Sequence, residues 1–129
     1  MKAFSFFILI HFSSMALATD GLKIYDGKVY KSFVTKEYQG MRFTEGCLEK
    51  NPPTCDAYKA TLTPAIEKKK FPTPLVGHPA AQYCLDAGGE NRIAKGRQNE
   101  QYDYCLFKDG SMIDSWDLYF KFHKADEKK

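Results

Sequence analysis

Apolar and polar residues alternate in short runs near the amino end of the chain and take up helical spacing further on. Leu22-Lys23-Ile24-Tyr25 and Val29-Tyr30-Lys31-Ser32-Phe33-Val34 flank Asp26-Gly27-Lys28. An Asp-Gly pair between apolar runs reaches positive φ easily, so this stretch reads as a β-hairpin. Met41-Arg42-Phe43-Thr44 alternates between Gly40 and Gly46 and reads as a third short strand. Tyr25, Tyr30, Phe33 and Phe43 could form a binding face, although cross-strand and core packing is the commoner use of such residues.

Cys55 to Ile66 has Tyr58, Leu62 and Ile66 at four-residue spacing, which suits a short helix. Thr63-Pro64 opposes it, because the residue before proline avoids the α region. Residues 68–79 contain Pro72, Pro74, Gly77 and Pro79 and read as a connector. Pro79 to Ala87 predicts a helix, with Pro79 in the first turn and Gly88-Gly89 as a left-handed stop. Asn91–Lys95 and Gln101–Phe107 then predict a hairpin. Its second strand would put Tyr102, Tyr104 and Leu106 on one face and Cys105 and Phe107 on the other. Asp109-Gly110 turns the chain. Ser111 is placed to cap the next helix, with Asp114 three residues on in a capping-box-like position. Ile113, Trp116 and Phe120 share helical spacing, so a helix is expected through about Tyr119 with Trp116 as its core anchor. From Leu118 onward the pattern also alternates, which leaves a terminal strand open.

The expected fold class is α+β: a small disulfide-stapled domain. Residues 19–77 form a β-rich part with its connector, residues 78–124 a helix–β-hairpin–helix unit, and residues 125–129 a charged tail.

The amino end changes the compartment. Met1-Lys2 precedes the apolar run Phe4 to Ile10, and Ala16-Leu17-Ala18 ends a small-residue stretch before Thr19. That is the pattern of a signal peptide over residues 1–18, and it implies export to the periplasm or beyond the cell. A transmembrane span needs ~20 apolar residues, and this run is shorter. Export makes the four cysteines informative, since an even number in a small oxidised domain reads as disulfides. Four cysteines allow three connectivities. Cys47 and Cys55 are neighbours across a loop carrying Asn51-Pro52-Pro53, and Cys84 and Cys105 share one stretch. This favours Cys47–Cys55 and Cys84–Cys105. Neither pair has zinc or redox spacing.

Composition adds exclusions. The 129 residues are 43% hydrophobic and 15% aromatic, enough for a modest core. A net charge of +3 does not argue for nucleic acid. Lys68-Lys69-Lys70 is the one basic run and reads as a solvated connector face.

Pro79-Ala80, Tyr83-Cys84, Gly88-Gly89, Tyr104-Cys105, Phe107, Asp109-Gly110-Ser111, Trp116 and Leu118 occur in an order that resembles a small family of bacterial exported proteins. That family is classed as a domain of unknown function and often labelled haemolysin. The resemblance covers residues 78–119. Family members often have Asn where His78 stands, and some carry a further Cys where Ile113 stands. The absence of that Cys leaves Cys84 and Cys105 as each other's partner. The resemblance implies no catalytic residues, and nothing in the chain resembles a pore-forming segment.

Beyond the signal peptide there are two histidines, His78 and His123. Neither sits in a hydrolase or zinc-peptidase motif, and solvated side chains are the simpler reading. Asp103, Asp109, Asp114 and Asp117 lack the spacing of a calcium loop and read as turn, cap and surface residues. Gly88-Gly89-Glu90 lacks the Lys-Ser/Thr of a phosphate loop. No metal or cofactor is expected. The expected function is a non-catalytic binding module whose partner is a protein or cell-envelope component. The expected contact surface is the hairpin at Tyr30 and Lys31 together with the Asn51-Pro52-Pro53 loop. The alternatives are a small secreted hydrolase with a site assembled only in three dimensions, or a membrane-active protein.

Overall fold

The computed structural model describes residues 21–67 and 79–124. The expected signal peptide, most of the expected connector with His78, and the charged tail lie outside the described residues. Seven strands make one antiparallel sheet: β1 (Leu22–Tyr25), β2 (Tyr30–Phe33), β3 (Thr35–Tyr38), β4 (Met41–Thr44), β5 (Glu90–Lys95), β6 (Gln101–Leu106) and β7 (Met112–Asp114). Helices α1 (Asp56–Lys59), α2 (Pro79–Asp86) and α3 (Ser115–Phe122) complete the fold, with a 3-10 turn at Glu45–Leu48. The fold is therefore α+β with two disulfides, as expected.

The strand order is β2-β1-β5-β6-β7-β4-β3. Strands β5, β6 and β7 form the centre, and the two amino-terminal hairpins pair with its two edges, β1 on β5 and β4 on β7. The outermost strands β2 and β3 are joined by Val34 alone. Two residues separated by a single residue lie at most about 7 Å from each other. Seven strands laid flat would separate the edges by about 29 Å. The sheet therefore rolls around until its ends meet. The ring of Phe33 on β2 lies 5.4 Å from that of Tyr104 on the central strand, edge to face.

Rolling makes two cores. Inside lie Leu22, Ala94, Tyr104 and Met112, with Ile24, Phe33, Tyr102 and Leu106 against them. Outside, Phe43, Cys105 and Ile113 meet α2 and α3 through Tyr83, Cys84 and Leu118. The alternation predicted for β6 holds, with Tyr102, Tyr104 and Leu106 inward and Cys105 and Phe107 outward.

Local chemistry explains the ends of the elements. Gln39 and Gly40 both have positive φ, which gives the two-residue turn that a β3–β4 hairpin needs. Gly88 has φ +89° and stops α2, with its amide donating to Leu85 O and that of Gly89 to Cys84 O. Disulfides link Cys47 to Cys55 and Cys84 to Cys105, with Cα–Cα distances of 5.3 and 5.6 Å. The second ties α2 to β6 across 21 positions, a closure worth about 3 kcal/mol.

Three expectations are corrected. The helix expected within Cys55–Ile66 is only the single turn α1, which ends before Thr63-Pro64. Ser111 does not cap the last helix. Met112–Asp114 form β7, and Asp114 is the cap, its carboxylate accepting from the amides of Trp116 and Asp117. The helix then runs to Phe122. Trp116 is half-buried and is not the core anchor, because a cap at Asp114 sets the helix phase. Ser115 and Leu118 face the sheet and are 0% exposed, while Trp116 stacks on Phe120 along the neighbouring stripe at 5.5 Å.

Candidate functional site

Helix α2 packs on β5 and β6, and α3 packs on β4, β6 and β7. The outer face of β1 and β2 lies beyond both helices. Tyr25 and Tyr30 stand there as direct cross-strand partners, their ring centroids 5.2 Å apart and tilted by 50°. They are 48% and 53% exposed, a costly place for two large rings if packing were their whole role. The register Lys23↔Lys95 and Ile24↔Ala94, continued by one residue, sets Tyr25 beside Ile93, which is also half exposed. Val29 adds an exposed aliphatic group at the turn. The Lys95 ammonium lies 5.8 Å from the Tyr30 ring centroid.

The turn below this patch is braced by one side chain. The Asp26 carboxylate accepts from the amides of Lys28 and Val29, both at 2.9 Å, and its other oxygen meets Lys31 Nζ at 2.9 Å. The Val29 amide, then Lys31 and the Lys28 amide, hold the Asp26 carboxyl far below the usual carboxylate range. Gly27 takes φ +99° at the tip. Tyr25 and Tyr30 thus sit on a turn fixed before any partner arrives.

A second polar cluster joins β4, β7 and α3. Arg42 lies 3.4 Å from Asp114 Oδ2 and 3.6 Å from Asp117 Oδ2, and its backbone amide donates to Asp117 at 2.8 Å. Burial and then the neighbouring Asp117 charge push the Asp114 carboxyl up, and burial pushes Asp117 up as well. Burial works against the Arg42 charge, but the two carboxylates outweigh it and hold the guanidinium above its ordinary value. Tyr104 lies alongside, hydrogen-bonded to Thr35, and burial pushes its hydroxyl up to about 12. Asp114 is also the α3 cap, so these groups fasten β4 to β7 and α3.

The Asp109-Gly110-Ser111 turn holds α1. Asp109 Oδ2 accepts from the Asp56 amide at 2.8 Å, and Ser111 Oγ accepts from the Ala57 amide at 2.9 Å while donating to Asp109 Oδ1. Partial burial opposes the Asp109 charge, yet the Asp56 amide and the Ser111 hydroxyl and amide keep its carboxyl below the ordinary value. These motif residues serve docking between the two halves of the chain.

His123 lies at the carboxyl end of α3. Nδ1 is 2.9 Å from Tyr119 O and Nε2 is 2.9 Å from Glu67 Oε1, and the ring stacks on Tyr119 at 4.2 Å. Both nitrogens therefore face acceptors, and the imidazole links α3 to the segment after α1. A shallow depression between Asp56, Lys59, Gly88, Phe107 and Lys108 has a volume of about 360 Å³ and opens widely to solvent. Among the described residues no three His, Cys, Asp or Glu side chains converge in a metal-holding group. Among them also, no helix is long and apolar enough to cross a membrane.

The surface residues expected from the sequence belong to different elements. Tyr30 and Lys31 belong to the β1–β2 hairpin. The Asn51-Pro52-Pro53 loop lies between β4 and α1, and Pro53 is buried. Ile93 and Lys95 join the Tyr30 face through the β1–β5 pairing, which no local pattern signals. The symmetric placement of Tyr25 and Tyr30 about Gly27-Lys28 predicts their pairing, but the reach of α2 and α3 is not a local property.

No curated protein and no solved structure matches the chain. Two disulfides point to an oxidising, non-cytoplasmic environment. The model of one protein family does match: residues 76–121 are similar to the Domain of unknown function (DUF333), a stretch that holds α2, β5, β6, β7 and α3, and the match does not extend to a haemolysin label.

Proposed function

We propose that the chain is an exported, non-catalytic binding module that meets a macromolecular partner through the outer face of β1, β2 and β5. One observation carries this reading: the half-exposed Tyr25–Tyr30 pair, held by the Asp26-braced turn and left uncovered by the helices. Tyr combines a large apolar body with a polar tip and few rotatable bonds, so a fixed Tyr pair loses little entropy on binding. The family stretch lacks this surface except for Ile93 and Lys95, since Tyr25 and Tyr30 lie in the amino-terminal part. The hydrolase alternative has less support. His123 spends Nδ1 on the carbonyl of its own helix, and its Glu67 contact joins two parts of the fold.

A photo-crosslinking residue placed at Tyr25 or Tyr30 in the exported protein tests the proposal. Adducts with a macromolecule should form at these positions and be absent from a control at Leu62. Adducts at Leu62 alone would place the contact elsewhere. Hydrolysis by the purified protein that is lost in His123→Ala would replace the binding reading with a catalytic one.

A further inference from the structure

We infer that the partner of the β1–β2–β5 face is an acidic protein segment that carries apolar side chains among its carboxylates. This rests on the proposed function and deepens it. The surface joins two kinds of group. Tyr25, Tyr30, Val29 and Ile93 supply exposed apolar area, and Lys23, Lys28 and Lys95 stand around them.

Two carboxylates in this half of the sheet are paired with cations, and two accept from amides. Asp26 holds Lys31 and the turn amides, Glu90 meets Arg92 at 3.0 Å, Glu100 accepts from the Gln98 amide, and Asp103 accepts from Asn91. With those two ion pairs set aside, Lys23, Lys28 and Lys95 stand against Glu100 and Asp103, so the face carries an excess of ammonium charge beside its aromatic rings. A surface of that sign attracts anionic partners and repels a second copy of itself, which would set the same lysines against one another.

The shape of the apolar part selects protein over glycan. Sugar rings stack on a flat aromatic platform, whereas Tyr25 and Tyr30 are tilted by 50° to each other and share the surface with aliphatic Val29 and Ile93. A cleft between inclined rings suits an inserted Leu, Val or Phe side chain, with carboxylates on either side reaching the lysines. The β2 edge itself carries Lys31, a feature that opposes simple strand addition, so the contact is to the face.

A phage-displayed random-peptide library selected on the oxidised full chain tests this. Enriched peptides should be net negative with interspersed apolar residues. Their affinity should fall about ten-fold in the double variant Lys23→Glu, Lys95→Glu, fall similarly with added salt, and be lost in Tyr30→Ser. All these positions are at the surface, and far-ultraviolet circular dichroism with a melting curve checks that each variant is folded. Neutral or basic enriched peptides, no enrichment, or binding that ignores the lysine reversals would overturn the inference. Preferential binding to a glycan array or to anionic phospholipid vesicles, with the same lysine dependence, would overturn it in favour of that class. In each such case crosslinking at Tyr25 decides separately whether the face is a contact surface.

Discussion

The Sγ atom of Cys105 occupies the space that a Cβ on residue 89 would need, so Gly89 and the Cys84–Cys105 disulfide fit only as a set. A Cβ there would also press on Cys84 Sγ at 3.1 Å and on the Leu106 carbonyl at 3.2 Å. Backbone and disulfide cannot both move, because α2 and β6 are fixed on either side. Gly89→Ala is expected to cost about 1–3 kcal/mol by overpacking. Urea unfolding of the oxidised protein measures it. Gly88→Ala is expected to cost about 1 kcal/mol for a different reason, its left-handed backbone at φ +89°.

Asp109 and Ser111 cap a helix that lies more than fifty positions earlier in the chain. Asp109→Ala and Ser111→Ala should each lower stability by about 1 kcal/mol. The Asp109 contribution has a defined pH window. Its folded value is below the ordinary 3.8, so the contribution is present above that value and is lost as pH falls through the lowered one. Acid titration of stability should therefore be shallower in Asp109→Ala than in the parent. Equal acid slopes would show that the carboxylate is not the group responsible.

Removing Arg42 should have the opposite pH signature. Asp114 and Asp117 are held above their ordinary value even with the guanidinium present. The folded state therefore keeps protons that the unfolded state releases, and stability rises as pH falls through the raised values toward 3.8. In Arg42→Leu the two carboxylates repel without a counter-charge. The expected loss near pH 7 is about 1–2 kcal/mol, below that of a fully buried pair because the Arg42 side chain is 49% exposed. Mild acid should restore much of it. A loss independent of pH would assign the effect to packing.

At high pH the inner core is the vulnerable place. Tyr104 keeps its proton in the folded state up to about 12, whereas an unfolded tyrosine releases it near 10. Stability should fall as pH rises through this interval. Tyr104→Phe should flatten the alkaline limb at a cost of about 1 kcal/mol at neutral pH for the lost Thr35 hydrogen bond. Tyr83, which burial also raises, leaves a residual slope.

On α3 the order of costs distinguishes the two stripes. Leu118→Ala removes a side chain with no exposure and should cost about 2–5 kcal/mol. Trp116→Ala should cost less, since the indole is half-buried and packs on Phe120 and Tyr119 of its own helix. Thermal unfolding of both variants checks the ranking.

Much of the local structure is written in the chain. The Asp26-Gly27 turn, the alternation of Tyr104 against Cys105, the Pro79 start and the Gly88 stop of α2 depend on residues within a few positions of one another, and each is readable from period and turn chemistry. The Cys47–Cys55 and Cys84–Cys105 pairs follow from proximity and shared membership of one stretch. Trp116 shows where this ends: its phase is set by the cap at Asp114, and Asp114 caps because Met112–Asp114 pairs with β6 and β4. The same holds for Asp109 and Ser111, whose partner amides are on α1, and for Arg42, which meets its carboxylates only after β4 joins β7. Only the tertiary structure decides that the sheet rolls until β2 meets β3 and that two short helices stop before β1 and β2. Those outcomes rest on pairings between distant strands, whose register no local period encodes, and they are what leave Tyr25 and Tyr30 facing solvent.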